Sequence, residues 1–400
     1  MARIYKRGKK WAYVAYAGKD PVTGKDKQKT KSGFLTKKDA QLAAAIFERK
    51  FHKGELIQPN KITLSELFYD WLAHYSRDVK ESSVRARRIA LKHILNEFGD
   101  MPIQKITKKT YQDKIDKLSN EFSTNYIESI HTSANLVFVY AYEMKLIKDA
   151  PTKGIKLPKK KDTVEELEKG DSLIENFLEK DELEELLLKA KTEGLEGDLL
   201  AFTTLGYTGL RIGEMIALKW SDIDFENGTL RVIKTYYNPT NNKIKFKLLT
   251  PKTKGSIRTL SVDPILIELL KLHKSEQELT KKKNSPFYVD NDFIFSTNEG
   301  HPRTIKHISN RLQRLLKKTY INKHVTLHSF RHTHTSLLIE VDVHIKEIQE
   351  RLGHSDIKTT MDIYAHMTKN LKKEASNKFS NLMKDLSSKI SSKHEQKHEH

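Results

Sequence analysis

The chain has 400 residues, which is too many for one ordinary hydrophobic core and calls for two or three domains. It carries 72 Lys and Arg against 52 Asp and Glu, a net charge of +20 that points to a polyanionic partner, most often nucleic acid. The absence of cysteine excludes disulfides, thiolate metal sites and thiol nucleophiles and fits a reducing cytoplasm, and no run approaches the roughly 18 apolar residues of a membrane span or the apolar stretch of a signal peptide.

Charge is concentrated at the start: residues 1–53 hold fifteen Lys and Arg and four acids. Trp11, Tyr13 and Tyr16 alternate partly with small residues, which predicts a strand. The Gly18–Gly24 stretch, with Asp20-Pro21 and Thr23-Gly24, predicts a turn. A further strand is expected over Lys27–Ser32, closed by Gly33, with Lys27, Lys29 and Lys31 as candidate DNA contacts. Thr36 then caps a helix over Lys37–His52, whose Ala40, Ala43, Ala44 and Phe47 share a face. Residues 1–55 therefore predict a three-stranded sheet plus a helix, followed by a linker between Gly54 and Pro59.

Residues 62–155 predict a helical module. Thr63 and Glu66 form a capping-box pattern ahead of Leu64, Leu67, Phe68, Trp71 and Leu72. Ser82 and Ser83 are expected to open a second helix that ends at Gly99, with Pro102 preventing resumption. Two more helices follow over Lys108–Leu118 and Asn125–Lys145. Arg85, Arg87 and Arg88 are candidate DNA contacts on the second. From 149 the composition shifts to Pro151, Gly154, Pro158, Lys159, Lys160, Lys161 and Gly170. That shift predicts an exposed, flexible hinge, with a linker over 156–174 whose three lysines could touch phosphates.

Residues 175–385 predict a larger mixed domain. Helices are expected at Glu179–Lys191 and from Asp198 to Leu205, the latter breaking at Gly206 and Gly209. Strand-like stretches follow at Thr229–Tyr237, Ile244–Leu249 and Arg258–Val262, and then helices at 264–274, 304–318, 328–340, 344–352, 358–364 and 368–390. Residues 386–400 are expected to fray. The fold class is thus multi-domain and mainly α with small β elements.

Three clusters could do chemistry. In Thr208-Gly209-Leu210-Arg211-Ile212-Gly213-Glu214 an arginine sits among glycines at a helix start. In His328-Ser329-Phe330-Arg331-His332-Thr333-His334, His328 and Arg331 are three apart and share a helix face. In Leu352-Gly353-His354-Ser355 the histidine precedes Tyr364 by ten residues. Taken singly, each has an ordinary structural reading as an ion pair, a core histidine or a packed tyrosine. Metal chemistry is not expected, because the histidines lack a His-Glu-x-x-His or Cys pairing and are interleaved with arginines. No cofactor is expected either: Gly18–Lys25 has the wrong spacing for a phosphate loop.

Together and in this order, the three clusters resemble the tyrosine recombinases, and more narrowly the integrases of temperate phages and conjugative elements of Gram-positive bacteria. The likeness runs along the whole chain. It implies an arm-site DNA-binding domain at 1–55, a core-binding domain at 62–155 and a tyrosine-recombinase catalytic domain at 175–385. It also implies a nucleophile, Tyr364, that forms a 3′-phosphotyrosine and frees a 5′-hydroxyl. Arginine suits the clamp role of Arg211 and Arg331, since a planar, always charged fork matches two phosphate oxygens. His328 and His354 could accept or share protons. The family's general acid is a lysine on a β-hairpin. In Pro251-Lys252-Thr253-Lys254-Gly255-Ser256-Ile257-Arg258, Lys252 aligns best and Lys254 is the alternative. Glu214 would orient Arg211. The partners implied are double-stranded DNA at core and arm sites, a homotetramer on DNA with the residues after Tyr364 acting in trans, and possible host DNA-bending and directionality factors, with no membrane. A type IB topoisomerase or a non-catalytic DNA-binding regulator on the same scaffold are the alternatives.

Overall fold

The computed structural model describes residues 2–19, 24–52, 62–158, 177–251 and 254–353, together with Met361 and Met383. It divides into two units, Met1–Asp162 and Thr163–His400.

The first unit opens with an antiparallel sheet of β1 (Arg3–Arg7), β2 (Lys10–Lys19) and β3 (Asp26–Phe34), in that order. Residues directly opposite in an antiparallel pair share a side, so the register separates two faces. The row Ile4, Tyr13, Lys31 lies on the side covered by helix α1 (Lys37–His52), where Tyr13 and Ala15 meet Ala44 and Phe47. The rows Arg3, Val14, Thr30 and Tyr5, Ala12, Ser32 make the other face. Strand β3 does not close at Gly33. That glycine, at φ +108°, forms an irregularity inside the strand that returns Phe34 to the apolar side, with its ring 6.0 Å from Tyr13. Thr36 accepts the Asp39 N–H at 3.1 Å and starts α1 as expected.

Four helices follow: α2 (Leu64–Asp78), α3 (Glu81–Phe98), α4 (Lys108–Ser119) and α5 (Thr124–Glu143). Their core is built from Phe68, Trp71, Ile94, Phe98, Ile115 and Phe138. The predicted capping box opens α2: Thr63 Oγ1 accepts the Glu66 N–H at 3.2 Å and the Glu66 carboxylate accepts the Thr63 N–H at 2.8 Å. Helix α3 opens otherwise than expected. It starts at Glu81 after Lys80, which makes no side-chain cap, and the Ser83 and Val84 N–H groups donate to the Lys80 carbonyl. The first residues of the expected hinge are also not loose. Thr152 Oγ1 donates to Asn135 Oδ1 at 2.7 Å, and the Lys156 backbone exchanges hydrogen bonds of 2.8 and 2.9 Å with the Gln112 side chain. Ile155 and Leu157 pack on the helical core. Isolated apolar residues among prolines and lysines tether this stretch, and the polar composition hid them.

The second unit begins with α6 (Lys180–Glu193), α7 (Asp198–Thr208) and α8 (Ile212–Ile216), followed by β4 (Ile223–Asp224), β5 (Thr229–Val232), β6 (Thr235–Tyr237), β7 (Lys247–Leu249) and β8 (Arg258–Ser261). Helices α9 (Pro264–Asn284), α10 (Ile305–Leu316), α11 (Ser329–Glu340) and α12 (Ile345–Leu352) complete its described part. Helix α7 passes through Gly206, where a Cβ would lie 3.4 Å from Leu183, and stops only at Gly209, in the left-handed region at φ +61°. Helix α9 runs ten residues past the predicted end at 274. Its second half is held by buried Gln277, which accepts from Trp220 Nε1 at 2.6 Å and donates to Ser296 Oγ at 2.6 Å. A polar anchor of this kind leaves no trace in an apolar pattern.

The stretch 229–237 is two strands in two sheets. Strand β5 lies between β4 and β8, while β6 pairs with β7. Strands β7 and β8 therefore do not form a hairpin with each other, contrary to the reading of Pro251–Arg258. Thr235 faces Leu249 and Val232 faces Arg258, so β7 and β8 pair with neighbouring parts of the 229–237 stretch, and the short turn Lys254–Ser256 ahead of β8 carries a buried Ser256. Among the described residues no helix is long and apolar enough to cross a membrane.

Candidate active site

Helix α11 carries its first residues inward. Phe330 stacks on Phe202 of α7 at 5.7 Å between ring centroids, which turns the neighbouring Arg331 into the same interior. Arg331 is 1% exposed. Its Nη1 donates to the Gly209 carbonyl at 2.8 Å and its Nη2 to the Leu352 carbonyl at 2.7 Å. Burial first, and then the Arg211 charge, push its pKa down to about 9, so the guanidinium stays protonated at neutral pH.

The end of α12 collects three guanidinium groups on three consecutive carbonyls. Arg258 Nε donates to Arg351 O at 2.6 Å, Arg331 Nη2 to Leu352 O at 2.7 Å, and Arg211 Nη2 to Gly353 O at 3.4 Å. A helix leaves its last carbonyls without intrahelical partners and carries partial negative charge there, so cations are the natural caps. Gly353 is required at this corner. Its φ is +66°, and a Cβ would lie 3.1 Å from Gly255 O and from Ser256 Cα, in the short turn ahead of β8.

Glu214, buried, links two of the arginines. Its Oε1 accepts from Arg211 Nη1 at 2.8 Å and its Oε2 from Arg258 Nη2 at 3.0 Å, while the Arg211 N–H donates to Oε2 at 3.1 Å. Burial pushes its carboxyl pKa up, but the charges of Arg258 and Arg211 outweigh that and hold it below the usual range. The Arg258 side chain is 7% exposed and that of Arg211 39% exposed, so among Arg211, Arg258 and Arg331 it is Arg211 that is accessible from solvent.

His328, exposed on the helix entry, meets the His332 ring edge-on at 4.8 Å. Desolvation of its inner side, then the charges of His332, Arg331 and Arg211, push its pKa down to about 4. It is neutral at pH 7. His334, two residues further on, is buried and braces the site from behind. Its Nδ1–H donates to the Gly206 carbonyl at 2.9 Å and its Nε2 accepts from Arg351 Nε at 3.0 Å. Burial and then Arg351 lower its pKa to about 4. The folded value lies below the unfolded 6.5, so this contribution to stability is complete above pH 6.5 and is lost as pH falls toward 4, up to about 3 kcal/mol. Thermal midpoints measured from pH 7.5 to 4.5 should fall more steeply for the native chain than for His334→Gln. Parallel profiles would refute this role of His334.

The structure thus brings Arg211, Glu214, His328 and Arg331 to one place. Lys252, His354, Tyr364, Lys159, Lys160 and Lys161 lie outside the described residues. Lys254 begins a short turn, Lys254–Ser256, and its side chain is likewise outside them. Lys29 and Lys31 stand opposite Ala15 and Tyr13, on the α1 side of the sheet, with Lys27 further along the same strand. Arg85 and Arg88 are exposed on α3, whereas Arg87 is half-buried and donates to Ser133 Oγ at 3.2 Å. Sequence reasoning passed over Arg258, Arg351 and the bracing part of His334. Arg258 stood inside the quoted lysine stretch, but an arginine that serves carbonyls has no spacing that marks it.

Comparison with known proteins agrees with this architecture. Residues 176–370 match the phage integrase family, residues 63–119 its N-terminal SAM-like domain, and residues 3–51 an arm DNA-binding domain. The chain is 31% identical to the ICEBs1 integrase of Bacillus subtilis over 369 residues, covering 90% of this chain and 94% of that one. It is 30% identical to the integrase of Staphylococcus phage L54a over 327 residues, covering 79% and 92%. Among solved structures, the fold resembles the Tn1549 transposon integrase in complex with transposon right end DNA (TM-score 0.62, 22% identity, 76% of this chain and 95% of that one). It also resembles the lambda integrase tetramer bound to a Holliday junction (TM-score 0.53, 18% identity, 90% and 94%). The chain belongs to the phage integrase family and is a tyrosine-type site-specific DNA recombinase.

Proposed function

We propose that the protein integrates and excises a mobile element by cleaving and rejoining double-stranded DNA through Tyr364. The phenolic oxygen attacks the scissile phosphorus, the bond to the 5′ oxygen breaks, and a 3′-phosphotyrosine stores the bond energy until another 5′-hydroxyl reverses the step. Arg211 and Arg331 offset the charge that develops on the non-bridging oxygens. His328, neutral at pH 7, can accept the phenolic proton or hydrogen-bond the phosphate together with His354. Lys252, or Lys254 in its place, gives the 5′ oxygen its proton. The observation that carries this reading is the convergence of Arg211, Glu214 and Arg331 at the end of α12, near enough to His328 for the charges of Arg331 and Arg211 to lower its pKa, with His354 and then Tyr364 following in the sequence.

In this reading residues 175–385 form the catalytic domain and 62–155 a core-site module joined to it by a linker over 156–174, with 386–400 as a tail. Residues 1–55 bind separate arm sites. The open sheet face with Arg3, Tyr5, Thr30 and Ser32 suits a DNA groove, while Lys29 and Lys31, on the α1 side of edge strand β3, and Lys27 further along that strand are candidates for phosphate contact from its edge. The active assembly is a homotetramer on DNA, to which host DNA-bending and directionality proteins would add.

A nicked suicide duplex carrying the attachment site should trap a covalent protein–DNA adduct, with the DNA mapped to the Tyr364 peptide. Tyr364→Phe should retain DNA binding and form no adduct. An adduct on another residue, or an undiminished one in the variant, would refute the assignment. Relaxation of supercoils without joining of two duplexes would favour a topoisomerase instead.

A further inference from the structure

We propose that Arg258 is a positioning residue for strand cleavage, whose guanidinium holds Arg211 in phosphate-binding geometry through Glu214 and the end of α12. Its three nitrogens point to three different places. Nε donates to Arg351 O at 2.6 Å on α12, Nη1 to Ser256 O at 3.0 Å in the Lys254–Ser256 turn, and Nη2 to Glu214 Oε2 at 3.0 Å on α8.

All three guanidinium nitrogens of Arg258 are engaged by protein acceptors, so its contribution to the site runs through those acceptors. Its effect runs through Glu214. With Arg258 bound, the carboxylate is divided: Oε2 serves Arg258 and the Arg211 N–H, and Oε1 holds Arg211 Nη1. Remove Arg258 and a buried carboxylate is left with Arg211 as its sole counter-charge among these partners. A bidentate pair would then pull the guanidinium inward, away from the exposed position in which it can meet a phosphate. The same loss frees the Arg351 carbonyl and loosens the Gly353 corner, where Arg211 Nη2 also docks. A lysine cannot replace the fork, because one ammonium cannot span acceptors lying on three sides.

This inference rests on the reading that Arg211 holds the scissile phosphate, and the test separates the two. Cleavage of suicide duplexes is measured at saturating DNA for the native chain, Arg258→Gln, Arg258→Lys, Arg211→Ala and Tyr364→Phe. One duplex carries an ordinary scissile phosphate and the other a methylphosphonate, which lacks the charged oxygen that a clamp must hold. Arg258→Gln and Arg258→Lys should both cleave the ordinary duplex ~10²-fold slower, the scale of a small misplacement of a catalytic group. Their DNA affinity should stay within about twofold of the native value, since a buried residue adds no phosphate contact. On the methylphosphonate the deficits of both Arg258 variants and of Arg211→Ala should shrink together, because the misplaced cation is no longer needed. Thermal unfolding confirms that each variant is folded at the assay temperature, and Arg258→Lys, which keeps the charge, is the milder change. Native rates in both Arg258 variants, or a deficit equally large on the two duplexes, would overturn the inference. Native cleavage by Arg211→Ala, or an adduct with Tyr364→Phe, would instead overturn the reading beneath it.

Discussion

Arg211→Ala should slow strand cleavage by ~10²–10³-fold while leaving the protein folded and bound to DNA, the loss typical when one preorganised donor to a developing oxyanion is removed. Of the arginines gathered at the end of α12, Arg211 is the one with an exposed flank, 39% of its side chain. Its removal also frees Glu214 Oε1, yet Arg258 still serves Oε2, so the cost in stability is small beside the cost in rate. Arg211→Lys should recover little, since an ammonium cannot hold Glu214 and two phosphate oxygens in one plane. The check is single-turnover cleavage of a suicide duplex at saturating protein, paired with a binding titration. A variant with native cleavage and weakened binding would place Arg211 in DNA affinity rather than in catalysis.

Glu214→Ala should strongly destabilise the second unit. The carboxylate is 3% exposed and compensates the Arg258 guanidinium, itself 7% exposed, so its loss strands a buried positive charge. Removing one partner of a buried pair costs ~3–5 kcal/mol. Arg211 adds little to that figure, because its exposed flank is screened by water. For a unit of this size the thermal midpoint should drop by roughly 10 °C. Glu214→Gln, which keeps an acceptor but not the charge, should fall between. The carboxyl pKa is held below its ordinary value, so the contribution is present above the unfolded carboxylate range and disappears as pH falls through the lower folded value. The Glu214→Ala penalty should therefore narrow below about pH 4. A penalty unchanged between pH 7 and pH 3 would show that packing, not charge, is what Glu214 supplies.

The two effects are linked by the same carboxylate. Glu214 bonds both Arg258 and Arg211, so if Arg211 acts on the phosphate as proposed, a stability defect and a catalytic defect should appear together in Glu214 variants but separate in Arg211 variants. Stability measured by denaturant and cleavage measured in single turnover can be compared directly on one preparation of each protein.

Much of the architecture was legible along the chain because its causes are local. The cap at Thr36, the reciprocal box of Thr63 and Glu66, and the stop at Gly209 are each settled by a few neighbouring residues and their own backbone groups. The apolar period of α2 and α5, and the basic bias of the first 53 residues, needed no partner to be read. The motifs around Arg211 and around His328 with Arg331 were legible for another reason: their order along the chain is distinctive, and it carried the family resemblance, whereas His354 and Tyr364 lie outside the described residues.

What only the tertiary structure decided is everything that depends on a distant partner. Residues 229–237 look like one strand, yet they serve two sheets because β8 and β7 arrive from elsewhere to pair with them. Ile155 and Leu157 look like linker until the helical core supplies a surface for them. Arg258 looks like an ordinary strand residue, and its neighbours do not reveal that Arg351 O and Glu214 lie 93 and 44 positions away in sequence but within hydrogen-bond reach. Hydrogen-bond acceptors at a helix end carry no side-chain signature, so the cations that cap them from another element cannot be inferred from spacing. They become visible only when the chain has folded back on itself and the carbonyls need partners.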